Sequence, residues 1–283
     1  MPVNEIEKYS AIIASPLSID FDKLPLRAHK RIMLSMGYDL NEFVNEKSLL
    51  HLMQHNVEFA DLVVIDNPEL KSSLITKLGY KGRTYVLPYG CEIHKFAEIP
   101  VPNKKNIGTN RSLSEFHNTA MILKVVAELN PDHFGKFVYV AHGADHGDFL
   151  KRNERFLKRI TYEVIPGGEE DVTKKFLGEI DIFISASRSD GSSVSLLEAM
   201  AAQKVCLVTD TPANRYWIND GVNGFCFNNS PEDLFFKIEQ AINMTEFERV
   251  EMGAKARKRV EQDADWLKNV SEFCDLLNLI TKE

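Results

Sequence analysis

At 283 residues, 44% of them apolar and 27% charged and with no biased tract, the chain has the composition of a folded protein with room for one large or two ordinary domains, which excludes disordered and fibrous classes. A net charge of −7 argues against broad nucleic-acid binding. No run approaches the roughly 20 apolar residues of a membrane span, no basic head precedes an apolar stretch at the N-terminus, and Cys91, Cys206, Cys226 and Cys274 form no C-x-x-C pair; the expectation is a cytoplasmic protein without disulfides or zinc.

Short β-branched runs alternate with amphipathic stretches along most of the chain, the pattern of parallel α/β construction. In the first third, strands are predicted at "SAIIAS" and "RIMLSM", a helix over 46–59, a strand at "DLVVID", a helix over 68–78 and a strand at "TYVLP". Asn67 before Pro68 is a helix start, because the amide can cap and proline at the first helical position gives up no needed donor. "PYGCEIHKFAEIPVPNKK" breaks the rhythm with three prolines and reads as an inter-domain linker. Beyond it, strands are predicted at "NIGTN", "FVYVAHG", "ITYEVI", "IDIFISAS", "KVCLVTD" and "GFCF", with helices over 115–129, 147–157, 170–177 and 194–202 and a helical tail from Pro231. The expected organisation is a partial Rossmann-like lobe over 1–100 and a complete doubly wound lobe over 101–283 that keeps the C-terminal helices.

In open parallel sheets, ligands bind beyond the carboxyl ends of the strands. At such a place "IDIFISAS" ends, "RSDGSS" forms a loop, and a helix begins near Ser193, with Ser192 or Ser193 as its cap. The first-turn N–H groups and the helix dipole suit an anion there, and Gly191 permits close approach of a phosphate. Glu198 stands a little over one turn into the helix. Facing a cleft, its carboxylate would accept from two vicinal ribose hydroxyls, with Asp190 on the other side of the phosphate. Each acid taken alone reads better as a solvated helix residue or a turn acid. His142, Asp145 and His146 in "VYVAHGADHGDF" have no second cluster to complete them, so no metal site is predicted.

The stretch "EAMAAQKVCLVTDTPANRYWINDGVNGF" resembles the signature of family-four retaining glycosyltransferases of the two-Rossmann-lobe, or GT-B, type, in which an E-x7-E motif precedes "EAMA-G-PVV-SD" and "NG". The spacing stands here as D-x7-E, from Asp190 to Glu198, and "SDGSSVSLLEAMA" is similar to the subgroup of bacterial surface-polysaccharide synthesis. "NIGTNRSLSEFHN" resembles the first strand and turn of the family's donor lobe, and "LKSSLITKLGYKGRTYVLPYGCEIHKF" its run into the hinge, with Glu92 where aspartate is usual.

The resemblance implies a GT-B α/β fold and a retaining, metal-independent hexosyl transfer that needs no cofactor. The donor would be a nucleotide-diphosphate sugar and the acceptor a glycan or lipid-linked molecule, with peripheral contact at the inner face of the membrane and no nucleic-acid partner. By resemblance, Glu198 holds the ribose, Gly191, Ser192, Ser193 and Val194 the diphosphate, Arg111 the leaving charge and Asp190 the donor sugar, which makes Asp190, Glu198 and Arg111 the catalytic set; Asn214 lines the same cleft. The lysine that the family commonly carries five or six residues after the arginine is replaced by Phe116, His117 and Asn118, and His117 reads either as a sharer of the cationic role or as a structural histidine. Asp39, at the end of "RIMLSMGYD", reads equally as a cleft residue or a turn acid. The Gly-rich loop and strands that open the family's acceptor lobe have no counterpart before "YSAIIAS", so the N-terminal lobe is expected to be short or incomplete: a short member, a fragment, or a lobe completed by a partner chain. Two alternatives stand beside transfer, a non-catalytic nucleotide-sugar-binding subunit and a sugar-nucleotide epimerase.

Overall fold

The computed structural model describes residues 7–23, 26–100, 103–141, 146–168 and 171–282, and the chain divides into two compact units. The first comprises Met1–Tyr89, Ser189–Ser192 and Trp266–Glu283, and the second Gly90–Arg188 and Ser193–Asp265. In the first, strands β1 (Glu7–Ala14), β2 (Leu26–Leu34), β3 (Leu62–Ile65) and β4 (Thr84–Val86) form a parallel sheet in that order. Helices α1 (Tyr38–Asn41) and α2 (Lys47–Glu58) connect β2 to β3, and α3 (Leu70–Leu78) connects β3 to β4. Gly79 stops α3 in the left-handed conformation at φ 71°, where its N–H bonds to Ile75 O and that of Tyr80 to Leu74 O.

Strand alternation gives this sheet two apolar faces. Met33, Val63 and Ile65 pack with Met53, Val57, Leu70 and Leu74 from α2 and α3. Ile32, Leu62 and Val64 point the other way and pack against Phe273 and Ile280 of the C-terminal helix Trp266–Ile280. A parallel sheet must be covered on both faces, and this helix supplies the second layer. The expectation that the C-terminal helices all belong to the second lobe is therefore corrected for Trp266–Ile280.

The second unit holds six parallel strands, β5 (Ile107–Thr109), β6 (Phe137–Ala141), β7 (Tyr162–Pro166), β8 (Ile182–Ser185), β9 (Val205–Thr209) and β10 (Phe225–Phe227), in the order β10-β9-β8-β5-β6-β7. The connecting helices are α4 (Thr119–Val126), α5 (His146–Leu157), α6 (Val172–Glu179), α7 (Val194–Ala201) and α8 (Pro212–Trp217), followed by α9 (Pro231–Asn243) and α10 (Glu246–Asp263). Ser230 caps α9 ahead of Pro231, and Thr245 with Glu248 forms a capping box that restarts the chain as α10. This doubly wound sheet matches its expected form.

The proline-rich stretch after Tyr89 is not a loose linker. Cys91, Ile93 and Phe96 are buried in the second unit's core, Cys91 N–H bonds to Ala264 O at 3.0 Å, and the buried Lys204 ammonium donates to Pro100 O at 2.9 Å. The expected boundary at residue 100 thus falls at Tyr89, because apolar burial ties the following residues into the second unit. No described helix is long and apolar enough to cross a membrane.

Helix α10 lies over the end of α7, where Gly253 leaves room for the main chain: a Cβ there would overlap Gln203 O. Substitution Gly253→Ala is expected to destabilise the second unit by about 1–3 kcal/mol, the usual scale of overpacking, read as a lower urea midpoint; an unchanged midpoint would show that the two segments are not held this closely.

Candidate functional site

Strand order in the second sheet reverses between β5 and β8, and the segments following these two strands carry the polar residues singled out in the sequence. Thr109 Oγ1 accepts the N–H of Arg111 at 3.3 Å just past β5. From there the half-buried Arg111 side chain donates through Nη1 to Ser193 Oγ at 2.9 Å and to Ser195 Oγ at 3.4 Å, at the start of α7. Its Nε and Nη2 face His117 Nδ1 at 3.4 and 3.2 Å, and Ser187 Oγ lies 2.8 Å from the same nitrogen. Because the guanidinium only donates, Nδ1 is the acceptor and the ring proton sits on Nε2. Burial, and then the Arg111 charge, lower His117 to about 4. Of its two readings, the geometry supports the structural one: a neutral imidazole that steadies Arg111.

The loop that makes this possible is longer than the sequence predicts. Asn118 adopts φ 51°, so the helix expected from 115 begins at Thr119, whose hydroxyl bonds back to Ser112 O at 2.9 Å. His117 is thereby kept in irregular backbone beside Arg111.

Ser193 does not cap α7 with its side chain; its hydroxyl accepts from Arg111 instead. The N–H groups of Val194, Ser195 and Leu196 precede the first helical bond, from Leu197 N–H to Ser193 O, and have no acceptor within the helix. Cation and helix dipole therefore reinforce each other at this end. Glu198 follows on the next turn, half-buried, with no hydrogen bond or ion pair to its carboxylate among the described residues, and burial raises it to about 7. Asn214 does not join this group: it is buried and donates Nδ2 to Thr209 O at 2.8 Å, tying the start of α8 to β9.

In the first unit the segment Ser189–Ser192 runs beside the ends of β2 and β3. The Ser192 N–H donates to Asp66 Oδ2 and its hydroxyl to Asp66 O, both at 2.6 Å, while Asn41 Nδ2 donates to Asp190 O at 3.2 Å. The space left by the absent side chain of Gly191 is filled by the Asp66 carboxylate. The expectation that Gly191 and Ser192 face a phosphate is corrected: the space at Gly191 and both Ser192 donors serve Asp66, and the Gly191 N–H donates to Asp190 Oδ1 at 3.2 Å. Asp39 is a turn acid, fully buried, accepting from the N–H groups of Leu17, Met36 and Leu40 and from Ser35 Oγ. Asp66 was not singled out in the sequence, although an acid ending the apolar run "LVVID" at the carboxyl edge of a strand is a signal of the right kind.

Among the described residues no three His, Cys, Asp or Glu side chains gather as a metal site requires; His142 and Asp145 lie outside the described residues. A cavity of about 570 Å³ near the ends of β9 and β10 is lined by charges that already pair, Arg215 with Asp210 and Lys237 with Asp220.

Residues 92–259, more than half of the chain, match the family model "Glycosyl transferases group 1". No curated protein matches. Among solved structures the chain is similar to a mutant of S. aureus TarM in complex with fondaparinux, alpha-GlcNAc-glycerol and UDP, at 18% identity and TM-score 0.74 over 88% of this chain and 51% of that one. It is also similar to Anabaena HepE in complex with UDP, at 16% identity and TM-score 0.76 over 88% and 72%. For sucrose-phosphate synthase of Thermosynechococcus elongatus the values are 12% and 0.77 over 89% and 68%. These likenesses are of fold, the GT-B arrangement of Rossmann-like α/β lobes. The chain spans about half the length of TarM.

The lowered His117 basicity gives a direct test. Between its unfolded value near 6.5 and about 4, the unfolded chain binds more protons at this residue, so its contribution to stability is lost as pH falls through that window. The His117 ring resonances are expected to stay unshifted from pH 7.5 to about 5.5; a midpoint near 6.5 would refute the neutral-acceptor role.

Proposed function

Because the chain belongs to the group 1 glycosyl transferases, we propose that it moves a sugar from a nucleoside-diphosphate donor to a glycan or lipid-linked acceptor, with retention at the anomeric carbon. The observation that carries the reading is the layout of α7: N–H groups with no acceptor within the helix and a bound guanidinium at one end, and one turn on a half-buried carboxylate with no hydrogen bond or ion pair among the described residues. The first combination suits a diphosphate, the second a vicinal diol. UDP in the TarM and HepE complexes is the corresponding class of ligand.

In this reading Ser193, Val194 and Ser195 at the helix start bind the diphosphate, Arg111 meets the charge that grows on it as the glycosidic bond breaks, and Glu198 holds the ribose. His117 keeps the guanidinium oriented. Asp190 orients the donor sugar's hydroxyls. The departing phosphate itself accepts the proton of the incoming acceptor hydroxyl on the same face, so the reading needs no separate strong base. Positive charge comes from Arg111 and α7, so it calls for no divalent ion. Work on a lipid-linked acceptor would bring the chain to the inner face of the membrane, and a partner chain would supply any acceptor-side surface that it lacks.

Ionised Glu198 is the better acceptor for a diol, so binding should draw off its proton. UDP affinity of the wild type is expected to weaken as pH falls through about 7. In Glu198→Gln it should be weaker at pH 8 by about 1–3 kcal/mol, the scale of a lost hydrogen bond to a charge, and should lose the part of the pH dependence that belongs to the protein. Equal UDP and GDP affinities in wild type and variant, measured calorimetrically, would defeat the ribose assignment.

Arg111→Lys keeps the charge but loses the fork that spans Ser193 and His117. Its donor turnover is expected to drop about 10²-fold, the scale of a lost transition-state donor, with UDP affinity less affected. Wild-type protein that binds nucleotide yet neither transfers nor hydrolyses any donor would reassign the chain to the accessory-subunit reading.

A further inference from the structure

One helix of the second unit presents a charge opposite in sign to that of the whole chain. α5 turns Phe149, Asn153 and Leu157 inward, and Asn153 Nδ2 bonds back to Phe149 O at 2.8 Å. At 3.6 residues per turn, Lys151, Arg152 and Arg155 fall within an arc of about 100° on the side away from these, and all three are exposed. Lys158 and Arg159, also exposed, continue the row through the closing turn, where Lys158 N–H still bonds to Glu154 O at 3.0 Å. From Lys151 to Arg159 the row covers about 12 Å, in a chain whose net charge is −7.

Acids offset only its lysines. Asp148 lies 3.9 Å from Lys151, and Glu154 pairs with Lys158 at 2.6 Å. No carboxylate among the described residues pairs with Arg152, Arg155 or Arg159. The Arg155 guanidinium lies 4.5 Å from the centre of the Phe156 ring, and Arg152 Nε donates to Asp148 O at 3.3 Å, so uncharged groups steady both forks. Because β6 and β7 are parallel, α5 must run back from the carboxyl edge of the sheet to its amino edge. The row therefore starts at the edge where Arg111 follows the neighbouring β5, and it leads away from there.

We infer that this face of α5 binds the anionic groups of an acidic glycan acceptor, a sugar chain that carries carboxylate or sulfate-like oxyanions at intervals. The inference rests on the donor-site reading of α7 and names the acceptor class for it. Guanidinium forks match such oxyanions in pairs, and arginines about one turn apart suit a chain in which the anions repeat. No large apolar residue of α5 is exposed, so the face lacks the side chains that an interfacial helix sinks into a bilayer. A second copy set two-fold against it would oppose cation to cation.

The test measures binding to the full chain of hexagalacturonate, a sulfated hexasaccharide, neutral maltohexaose, and vesicles containing phosphatidylglycerol, at roughly 50 and 300 mM salt. Wild-type protein is expected to bind at least one of the two anionic hexamers but not maltohexaose, and to bind more weakly at the higher salt. Combining Arg152→Gln, Arg155→Gln and Arg159→Gln should weaken that binding by about 10-fold, the summed scale of a few exposed charge pairs, with thermal midpoint and UDP affinity unchanged. Lysine at the same three positions keeps the charge without the fork and should give an intermediate loss. Lys255→Gln with Lys258→Gln, exposed on α10, is the control for undirected attraction and should change binding by less than about two-fold.

Wild-type protein that binds neither anionic hexamer would overturn the inference. So would equal losses in the two glutamine variants, since they mark attraction to charge at large. Binding to the vesicles but to neither hexamer would move the partner to a lipid surface and overturn it as well. Protein that binds an anionic hexamer through this face but neither UDP nor GDP would overturn the donor-site reading, and with it the acceptor role.

Discussion

The guanidinium of Arg111 spans the point where strand order reverses in the second sheet, held by two serine hydroxyls at the start of α7 and by the imidazole of His117. These three acceptors are uncharged and orient the cation without themselves opposing its field. A carboxylate in the place of His117 would hold the arginine at least as firmly and would repel an incoming anion. The lowered basicity of His117 and the irregular backbone from Arg111 to Asn118 are two sides of this arrangement: the loop must stay unwound for the ring to reach the guanidinium, and the ring must stay neutral to accept from it.

Helix α7 turns that local geometry into a site with direction. Its N-terminus, joined to Arg111, attracts negative charge, and one turn further Glu198 offers acceptors to hydroxyl groups. A rigid helix thus sets the separation of two opposite binding chemistries. Leu196, Leu197, Ala199 and Met200 are all fully buried, which locks the rotation of the helix and with it the direction in which Glu198 projects. The close approach of α10 at Gly253 holds the far end.

What could be read from the sequence was local. Asp190 and Glu198 lie on one loop and the helix after it, and Arg111 follows its strand directly, so spacing alone brought them to strand ends. The six-strand sheet was equally legible, because β6, β8 and β9 are short apolar runs separated by helical stretches. The bonds between Ser192 and Asp66 join residues 126 positions apart, and no pattern near either residue announces the other. That is why Ser192 reads as a phosphate ligand in sequence and as a partner of Asp66 in the fold. The stretch after Tyr89 misled for a related reason: its prolines signal a break in regular structure, but Cys91 and the two ends of the single 3-10 turn Ile93–Phe96 are buried, a pattern too short to read in sequence. Amphipathicity correctly made a helix of Trp266–Ile280; which sheet its apolar stripe would cover was decided by the exposed face of β2 and β3, far away in the chain.

That last pairing orders events during synthesis. The second unit, apart from the excursion at Ser189–Ser192, is one continuous stretch of polypeptide and has all its strands once residue 227 has been made. The first sheet is translated before the second, yet Ile32, Leu62 and Val64 have no covering layer until Phe273 and Ile280 emerge from the ribosome. The nascent chain therefore carries an apolar sheet face from the synthesis of Val64 to that of Phe273, and translation at roughly 5–20 residues per second leaves that face open for many seconds. Of the two sheets, the one made earlier is the one completed later.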